Sequence, residues 1–378
     1  MPTHARCRSG RLFTLCAAAC LAASAAASAS TVSVFGDLSY GQDRIPFELN
    51  DAVHVGATRR TVAAVRANGS IMAWGYDGNG EVTSVPSGPV FTKVFGGWGF
   101  TFFGLTDQGQ LISWGRNTVG QADVAALPAG LRYVKAAASF FHGAGLRDDG
   151  SLVVWGASNP AIFTPTQQAT ICTVPTLASG VVWSDFGVGY RTTIGLTSDG
   201  AIRAWGIDLY GDTTVPALPT GLTYTGLAFG GTFAVGLRSN GTVVAWGDDY
   251  FGQVSDVPQP APGVQCTQIY AGADHAFAQF NDGSWQGWGT NYDGESDPSN
   301  LSGDTMQQLV ASGGFNVVLA GAQCFGDLDG SLEVDAGDVA FALLVYGPCS
   351  GCPADLDGTG DVDFGDIALV LLSVGPCQ

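Results

Sequence analysis

The stretch Leu227–Gln253, LAFGGTFAVGLRSNGTVVAWGDDYFGQ, decides the fold. Two short apolar runs, FAVGL and TVVAW, flank Asn240-Gly241, and the second run ends in Trp246-Gly247. An Asn-Gly pair between such runs marks a tight β-hairpin, whose turn needs a positive φ that these residues tolerate. The runs are too short and too rich in β-branched residues for helices. The pattern recurs. Trp74, Trp114, Trp155, Trp205, Trp246 and Trp288 are each followed by glycine, at steps of 40, 41, 50, 41 and 42 residues. Each is preceded by a turn pair: Asn68-Gly69, Gln108-Gly109, Asp149-Gly150, Asp199-Gly200, Asn240-Gly241 or Asp282-Gly283. A period near 41 residues with strands throughout predicts a radial array of blades, closed into a ring so that no sheet edge stays open.

Ring closure calls for a seventh unit, and the two ends of the repeat region supply it. VSVFGDLSYGQ at Val32–Gln42 copies VVAWGDDYFGQ at Val243–Gln253, with Phe35 in the place of Trp246. LVASGGFNVVLAG at Leu309–Gly321 copies GLAFGGTFAVGL at Gly226–Leu237 and stops where the hairpin turn is due. An N-terminal strand is therefore expected to complete a blade begun by C-terminal strands.

Taken together, the units resemble the regulator of chromosome condensation repeat, with its A-G-x-x-H-x-x-x-L, x-D-G-x-V, x-A-W-G-x-N and x-x-G-Q segments. Here these read DHAFAQFNDGSWQGWGTNYDGE at Asp274–Glu295 and DFGVGYRTTIGLTSDGAIRAWGIDLYGD at Asp185–Asp212. The short units with V-P-A-L-P linkers look most like the secreted bacterial branch that includes beta-lactamase inhibitory protein II. The resemblance covers Val32–Gly321 and implies an all-β, seven-bladed β-propeller. The third unit departs from it, with about nine extra residues around NPAIFTPTQQATICTVP and no Gly-Gln after its Trp-Gly.

The repeat's histidine slot holds His142 and His275, and elsewhere Thr61, Thr101, Thr192, Phe233 and Asn316. A catalytic imidazole would not be kept in two blades and dropped from five, so both histidines read as structural. The position before the slot lies in a loop joining two strands, and its seven copies should crown one face: Arg60, Phe100, Phe141, Arg191, Thr232, Asp274 and Phe315. Arg59, Trp98, Phe140 and Tyr190 stand beside them. Aromatics and arginine dominate binding hot spots, and strands do not need them in loops. The expected partner of this face is an unidentified extracellular protein.

Composition narrows the alternatives. Glycine makes up 55 of 378 residues and the formal charge is −18 with two lysines, Lys93 and Lys135. A phosphate-tracking surface has almost nothing to build it from, so nucleic acid is not an expected partner. There is no G-x-S-x-G and no phosphate-binding loop, and the chain reads as a non-enzyme. At the N-terminus, Arg6, Arg8 and Arg11, the apolar run Leu12–Ala23 and Ala27-Ser28-Ala29 read as a secretory signal peptide over residues 1–29. The run is about half the roughly 20 residues a spanning helix needs, so no transmembrane span is expected. Cleavage before Cys20, as in a lipoprotein, is the alternative. Loss of the three arginines takes the charge to near −21, and the chain is expected outside the cell or on its surface.

A separate, duplicated module is expected at 324–378, after a propeller over 30–323. Cys324 to Cys352 and Cys349 to Cys377 are both 28-residue steps, and DLDGSLEVDAGD at Asp327–Asp338 matches DLDGTGDVDFGD at Asp355–Asp366. Such spacing wraps a hard cation in oxygen ligands, so Ca2+ is the expected cofactor. The ligand sets are Asp327, Asp329, Ser331, Glu333, Asp335 and Asp338, and Asp355, Asp357, Thr359, Asp361, Asp363 and Asp366. The segment carries ten acids and no bases. Each loop precedes an apolar stretch, VAFALLVY or IALVLLSV. This resembles a type I dockerin, a paired loop-helix α-helical module that docks on a cohesin. The recognition positions of that family fall on Ala336, Gly337, Phe364 and Gly365, where its usual hydroxyl pair is missing, so the expected partner is cohesin-like or at the cell surface. A nine-residue helix rises about 14 Å, which separates Cys324 from Cys349 and Cys352 from Cys377 by more than a disulfide spans. With helices antiparallel as in dockerins, Cys324 pairs with Cys377 and Cys349 with Cys352. The Cys-Ser-Gly-Cys motif lacks a surrounding βαβ pattern for a thiol oxidoreductase. The function expected is a secreted protein-binding propeller tethered through this module; the alternative is a carbohydrate-active enzyme or carbohydrate-binding propeller carried by it.

Overall fold

Every hairpin expected around an x-Gly turn forms in the computed structural model, which describes residues 30–301 and 306–321 and, beyond them, 333–334, 339–340, 342–343, 346–348, 361–372 and 375–376. Twenty-one strands make seven three-stranded antiparallel blades. Six are contiguous in sequence. They are β2–β4 (Ala52–Ala57, Thr61–Arg66, Ile71–Gly75), β5–β7 (Phe91–Phe95, Thr101–Thr106, Leu111–Gly115) and β8–β10 (Tyr133–Ala138, His142–Arg147, Leu152–Gly156), followed by β11–β13 (Trp183–Val188, Thr192–Thr197, Ile202–Gly206), β14–β16 (Tyr224–Phe229, Phe233–Arg238, Val243–Gly247) and β17–β19 (Cys266–Ala271, His275–Phe280, Trp285–Gly289).

The seventh blade joins the ends of the propeller: β20 (Met306–Ala311) and β21 (Phe315–Ala320) are completed by β1 (Thr31–Gly36). Phe35 faces Asn316 as Trp246 faces Ala234, so β1 takes the place of a Trp-Gly strand. The strand register corrects one alignment. Gly36 pairs with Phe315 as Gly247 pairs with Phe233, which puts Phe315 in the histidine slot, Gly314 before it and Asn316 after it. Matching Gly313-Gly314 to Gly230-Gly231 slips the strand by one residue, which would turn every side chain to the wrong face.

In the hairpins the glycine alone has positive φ, for example +79° at Gly69 and +78° at Gly241. Gly69 N–H donates to Arg66 and Arg66 N–H to Ser70, the three-residue loop with a type I turn and one left-handed residue. Each inner strand also carries a register shift near its start, as between Ala52 and His54 or Tyr133 and Lys135. A bulge repeated in all seven blades adds twist where the strands crowd the axis.

Middle strands are buried along nearly their whole length because each blade packs on both faces. The core is divided among the blade interfaces. Val55, Val62, Trp74, Phe315 and Val317 fill one, and Ile194, Tyr224, Ala234 and Trp246 another. The tryptophan of each Trp-Gly pair also bolts its blade to the loop arriving from the blade before. Indole N–H groups of Trp74, Trp114, Trp155, Trp205, Trp246 and Trp288 donate to the carbonyls of Gln42, Glu81, Gln121, Ile171, Asp212 and Gln253 at 2.7–3.2 Å.

The insertion in the third unit forms a helix, Pro165–Cys172, not expected from sequence. Thr164 caps it, its hydroxyl accepting Gln167 N–H while the Gln167 side chain accepts Thr164 N–H. Ile171 sits where other units have Gln or an acid. Cys172 and Cys266 are both free thiols, and burial pushes each up to about 11.

In the C-terminal segment, β22 (Glu333–Val334) pairs with β25 (Gly375–Pro376), and β23 (Gly347–Pro348) with β24 (Asp361–Val362). Positions 333 and 361, and 347 and 375, are 28 apart, so each short strand pairs with the other half of the duplication. A helix spans Phe364–Leu372. The signal peptide expected at 1–29 lies outside the described residues, as do Cys324, Cys349, Cys352 and Cys377. No helix among the described residues is long and apolar enough to cross a membrane.

Candidate protein-binding face

The loops between first and second strands meet round the axis at one end of the ring and are stitched to one another. Arg59 N–H donates to Gly99 at 3.0 Å, Ala138 to Gly96 at 3.0 Å, Tyr190 to Gly231 at 2.9 Å, Gly231 to Ala273 at 2.8 Å and Ala273 to Ser312 at 3.0 Å. Ser312 Oγ continues to Thr58 at 2.9 Å. Side chains on backbone tied this way are preorganised for a partner, which lowers the ordering cost of binding.

The loop after each Trp-Gly returns to the same end. Tyr76, Arg116, Ala157, Ile207, Asp248 and Thr290 donate their N–H to Arg60, Phe100, Phe141, Arg191, Thr232 and Asp274, and Asp37 donates to Gly314. That close return is why the residue after tryptophan is glycine. A Cβ at Gly206 (φ +123°) would lie 2.3 Å from the Arg191 carbonyl, and one at Gly115 (φ +87°) 2.4 Å from that of Phe100.

Six of the seven proposed face positions sit in this ring of loops; the seventh, Phe315, is wholly buried in a blade interface. Phe100 and Thr232 are buried too, at 8% and 7% exposure. Arg60, Phe141, Arg191 and Asp274 are half-buried, as are Arg59, Trp98, Phe140 and Tyr190.

Those side chains form one continuous band. Trp98 packs edge-on against Phe140 and Tyr190 with centroids 5.0 and 5.5 Å away, Phe140 meets Phe100 at 5.4 Å, and Phe141 meets Tyr190 at 5.0 Å. Guanidinium groups lie over the rings. Arg59 is 5.5 Å from both Trp98 and Phe140, Arg60 4.1 Å from Tyr40, Arg116 5.7 Å from Phe140 and Arg191 5.1 Å from Phe141. Sequence reasoning missed Tyr40, Tyr76, Arg116 and Phe163, which extend the band at both ends. Their signal was present: three of them follow a Trp-Gly or its Phe-Gly counterpart, whose loop comes back to this end. Tyr250 and Tyr292, each 82% exposed, occupy the same loop in two further blades.

Asp274 has a neighbour that the sequence did not reveal. Burial raises its carboxyl above the ordinary range, nearby Asp248 adds to the shift, and Arg59 opposes it. Both histidines of the slot are structural. His142 Nε2 meets Thr193 Oγ1 at 2.9 Å and His275 Nε2 meets Asn316 Oδ1 at 2.8 Å, each reaching into the next blade. Burial lowers both, His142 to about 4, and keeps them neutral.

In the C-terminal segment, Asp366 is fully buried in the first turn of the helix and accepts Asp363 N–H at 2.8 Å. A buried carboxylate in a stretch without a base fits a bound cation. Phe364 is 75% exposed at the helix start, and Gly365 follows it in the helix. Asp327, Asp329, Ser331, Asp335, Ala336, Gly337, Asp338, Asp355, Asp357 and Thr359 lie outside the described residues, and Glu333 and Asp361 are described by backbone alone.

Residues 91–121 and 224–253 match the regulator of chromosome condensation (RCC1) repeat. No curated protein matches the chain. Solved structures with similar folds include human WBSCR16, 18% identical over 78% of this chain and 99% of that one with a TM-score of 0.60. Yeast RCC1 (Prp20) bound to Kap60 is 14% identical over 78% and 89%, with a TM-score of 0.61. The ectodomain of the Physcomitrella patens receptor kinase CR4 is 20% identical over 70% and 68%, with a TM-score of 0.52. At these identities the likeness concerns the fold.

Proposed function

We propose that this RCC1-repeat propeller is a secreted, non-enzymatic protein-binding module that grips its partner with the aromatic and arginine face. The observation that carries the reading is the unbroken band from Tyr40 to Phe163, mounted on hydrogen-bonded loops and open at one end of the ring. Rings and guanidiniums displayed together, with the apolar core complete beneath them, are hot-spot chemistry. The similarly folded yeast RCC1 (Prp20), solved with Kap60 bound, is a precedent for this fold in a protein complex.

The C-terminal segment serves as a calcium-dependent tether of dockerin type, docking on a cohesin-like or cell-surface partner through Phe364 and its counterparts. The burial of Asp366 beside Asp363 and the crossed pairing of short strands support that role. The reading includes disulfides Cys324 with Cys377 and Cys349 with Cys352.

The test is capture from the source organism's extracellular fraction. Phe140→Ala with Tyr190→Ala is the variant of choice, since buried Phe100 would confound binding with stability. A protein retained by the native chain and lost by the variant, both melting alike, supports the face; equal retention by both places the interface elsewhere.

A further inference from the structure

Above the axis the face sinks into a cavity of about 420 Å³ lined by Arg59, Trp98, Phe140, Tyr190, Tyr210 and Thr232. Trp98 is its floor. The indole reaches from one blade to the loop of another three blades on, where a Cβ at Gly231 would lie 2.8 Å from the ring, and it also caps the central channel. Its Nε1 is buried and has no acceptor.

Arginines gather round this cavity, with two carboxylates beside them: Asp248 accepts Thr232 Oγ1 at the cavity wall at 3.2 Å, and Asp274 lies near both Asp248 and Arg59. In a chain of net charge −18, Arg59, Arg60, Arg116 and Arg191 all lie on this face. Among the described residues ion pairs join Arg66 to Asp51 and Lys135 to Asp185, and none of these four arginines is within ion-pair distance of a carboxylate. Asp274 acts on Arg59 only from beyond that distance, while Arg60 repels it. A half-buried guanidinium held between two rings keeps donors free, and its fork matches a carboxylate in a two-point, charge-assisted bond.

We infer that the cavity receives an aspartate or glutamate side chain, presented on a loop of the protein partner, whose carboxylate bonds Arg59 where the guanidinium lies against the Trp98 and Phe140 rings. This rests on the reading of the face as a protein-binding surface. A free small carboxylate would leave the exposed rings beyond the cavity uncovered; a loop on a protein brings flanking surface to cover them.

The test uses a display library of a small rigid scaffold with one six-residue loop randomised, selected against the full chain. Binders should converge on one acidic position. They should weaken roughly tenfold or more on Arg59→Gln, and equally when their own acid is changed to its amide. The second change leaves this chain untouched, so the result stands even if Arg59→Gln disturbs folding. Binders lost on Phe140→Ala with Tyr190→Ala, yet lacking an acid and indifferent to Arg59→Gln, would overturn the acidic occupant and leave the face reading in place. Binders indifferent to all of these substitutions would overturn both.

Discussion

Asn316 Nδ2 donates to the carbonyl of Glu295 at 2.7 Å, at the one blade junction where the bolting indole is missing. Phe35 stands opposite Asn316 in the register that pairs Trp246 with Ala234 and Trp288 with Ala276. The amide thus replaces the indole N–H, and its oxygen accepts from His275 across the same junction. The ring is closed by a single terminal strand and one bifunctional side chain.

Asn316→Ala should therefore cost about 2–4 kcal/mol, because it strands a buried carbonyl and a buried imidazole N–H. Adding Phe35→Trp reproduces the pairing of the other two blades and should recover part of the loss, while Phe35→Trp alone should not stabilise. Thermal melts of the three variants decide; a double variant no better than Asn316→Ala would show that the Glu295 carbonyl is not the bolting point.

Glycine after tryptophan is required by the returning loop. Gly206→Ala places a Cβ 2.3 Å from the Arg191 carbonyl at φ +123°, whereas Gly263 (φ +89°) has nothing within 4 Å of the same added atom. The first substitution should cost more than about 3 kcal/mol and the second about 1 kcal/mol, the left-handed penalty alone. Denaturant midpoints compare them directly, and equal shifts would refute the close-approach argument.

Asp212 stands where other units have Gln, Glu or, once, Ile171, its Oδ2 accepting Thr192 Oγ1 at 2.6 Å. Burial, with Asp208 nearby, raises its carboxyl to about 6. The folded state thus holds a proton that the unfolded chain has released, and stability falls as pH rises from about 4 through 6. Asp212→Asn should remove that fall and gain on the order of 1–2 kcal/mol at pH 7–8, with little change at pH 4. The native-minus-variant difference in melting temperature against pH is the measurement; a flat difference would show that Asp212 ionises normally.

The seven blades were legible because one hairpin signal, x-Gly followed by Trp-Gly, survives in six units and its Phe35-Gly36 form in the seventh. Glycine repetition also misled: two adjacent Gly pairs aligned by identity slipped Phe315 onto the face, where alternation along β21 would have kept it inside. The helix at Pro165–Cys172 carried a readable signature, Thr164 with Gln167 as a capping box, inside an insertion noted only as a departure from the repeat. The repeated bulges and the reach of Trp98 across the ring left no local trace, since both arise from how blades crowd the axis.

Calcium should govern the C-terminal segment and leave the propeller alone. Ten acids without a base repel one another, and a cation that binds only the folded form turns its binding energy into folding energy. Asp366, buried in the first turn of its helix, is the described carboxylate with most to lose when the cation is removed. Calorimetric titration of the full chain should show calcium binding, weakened by Asp355→Ala with Asp366→Ala. Differential scanning should show a chelator lowering one transition while the propeller transition stays in place, because the blade interfaces hold no acid-lined cation site among the described residues. A chain with no calcium heat and a chelator-independent scan would remove the tether from the proposed function while leaving the propeller face as it is.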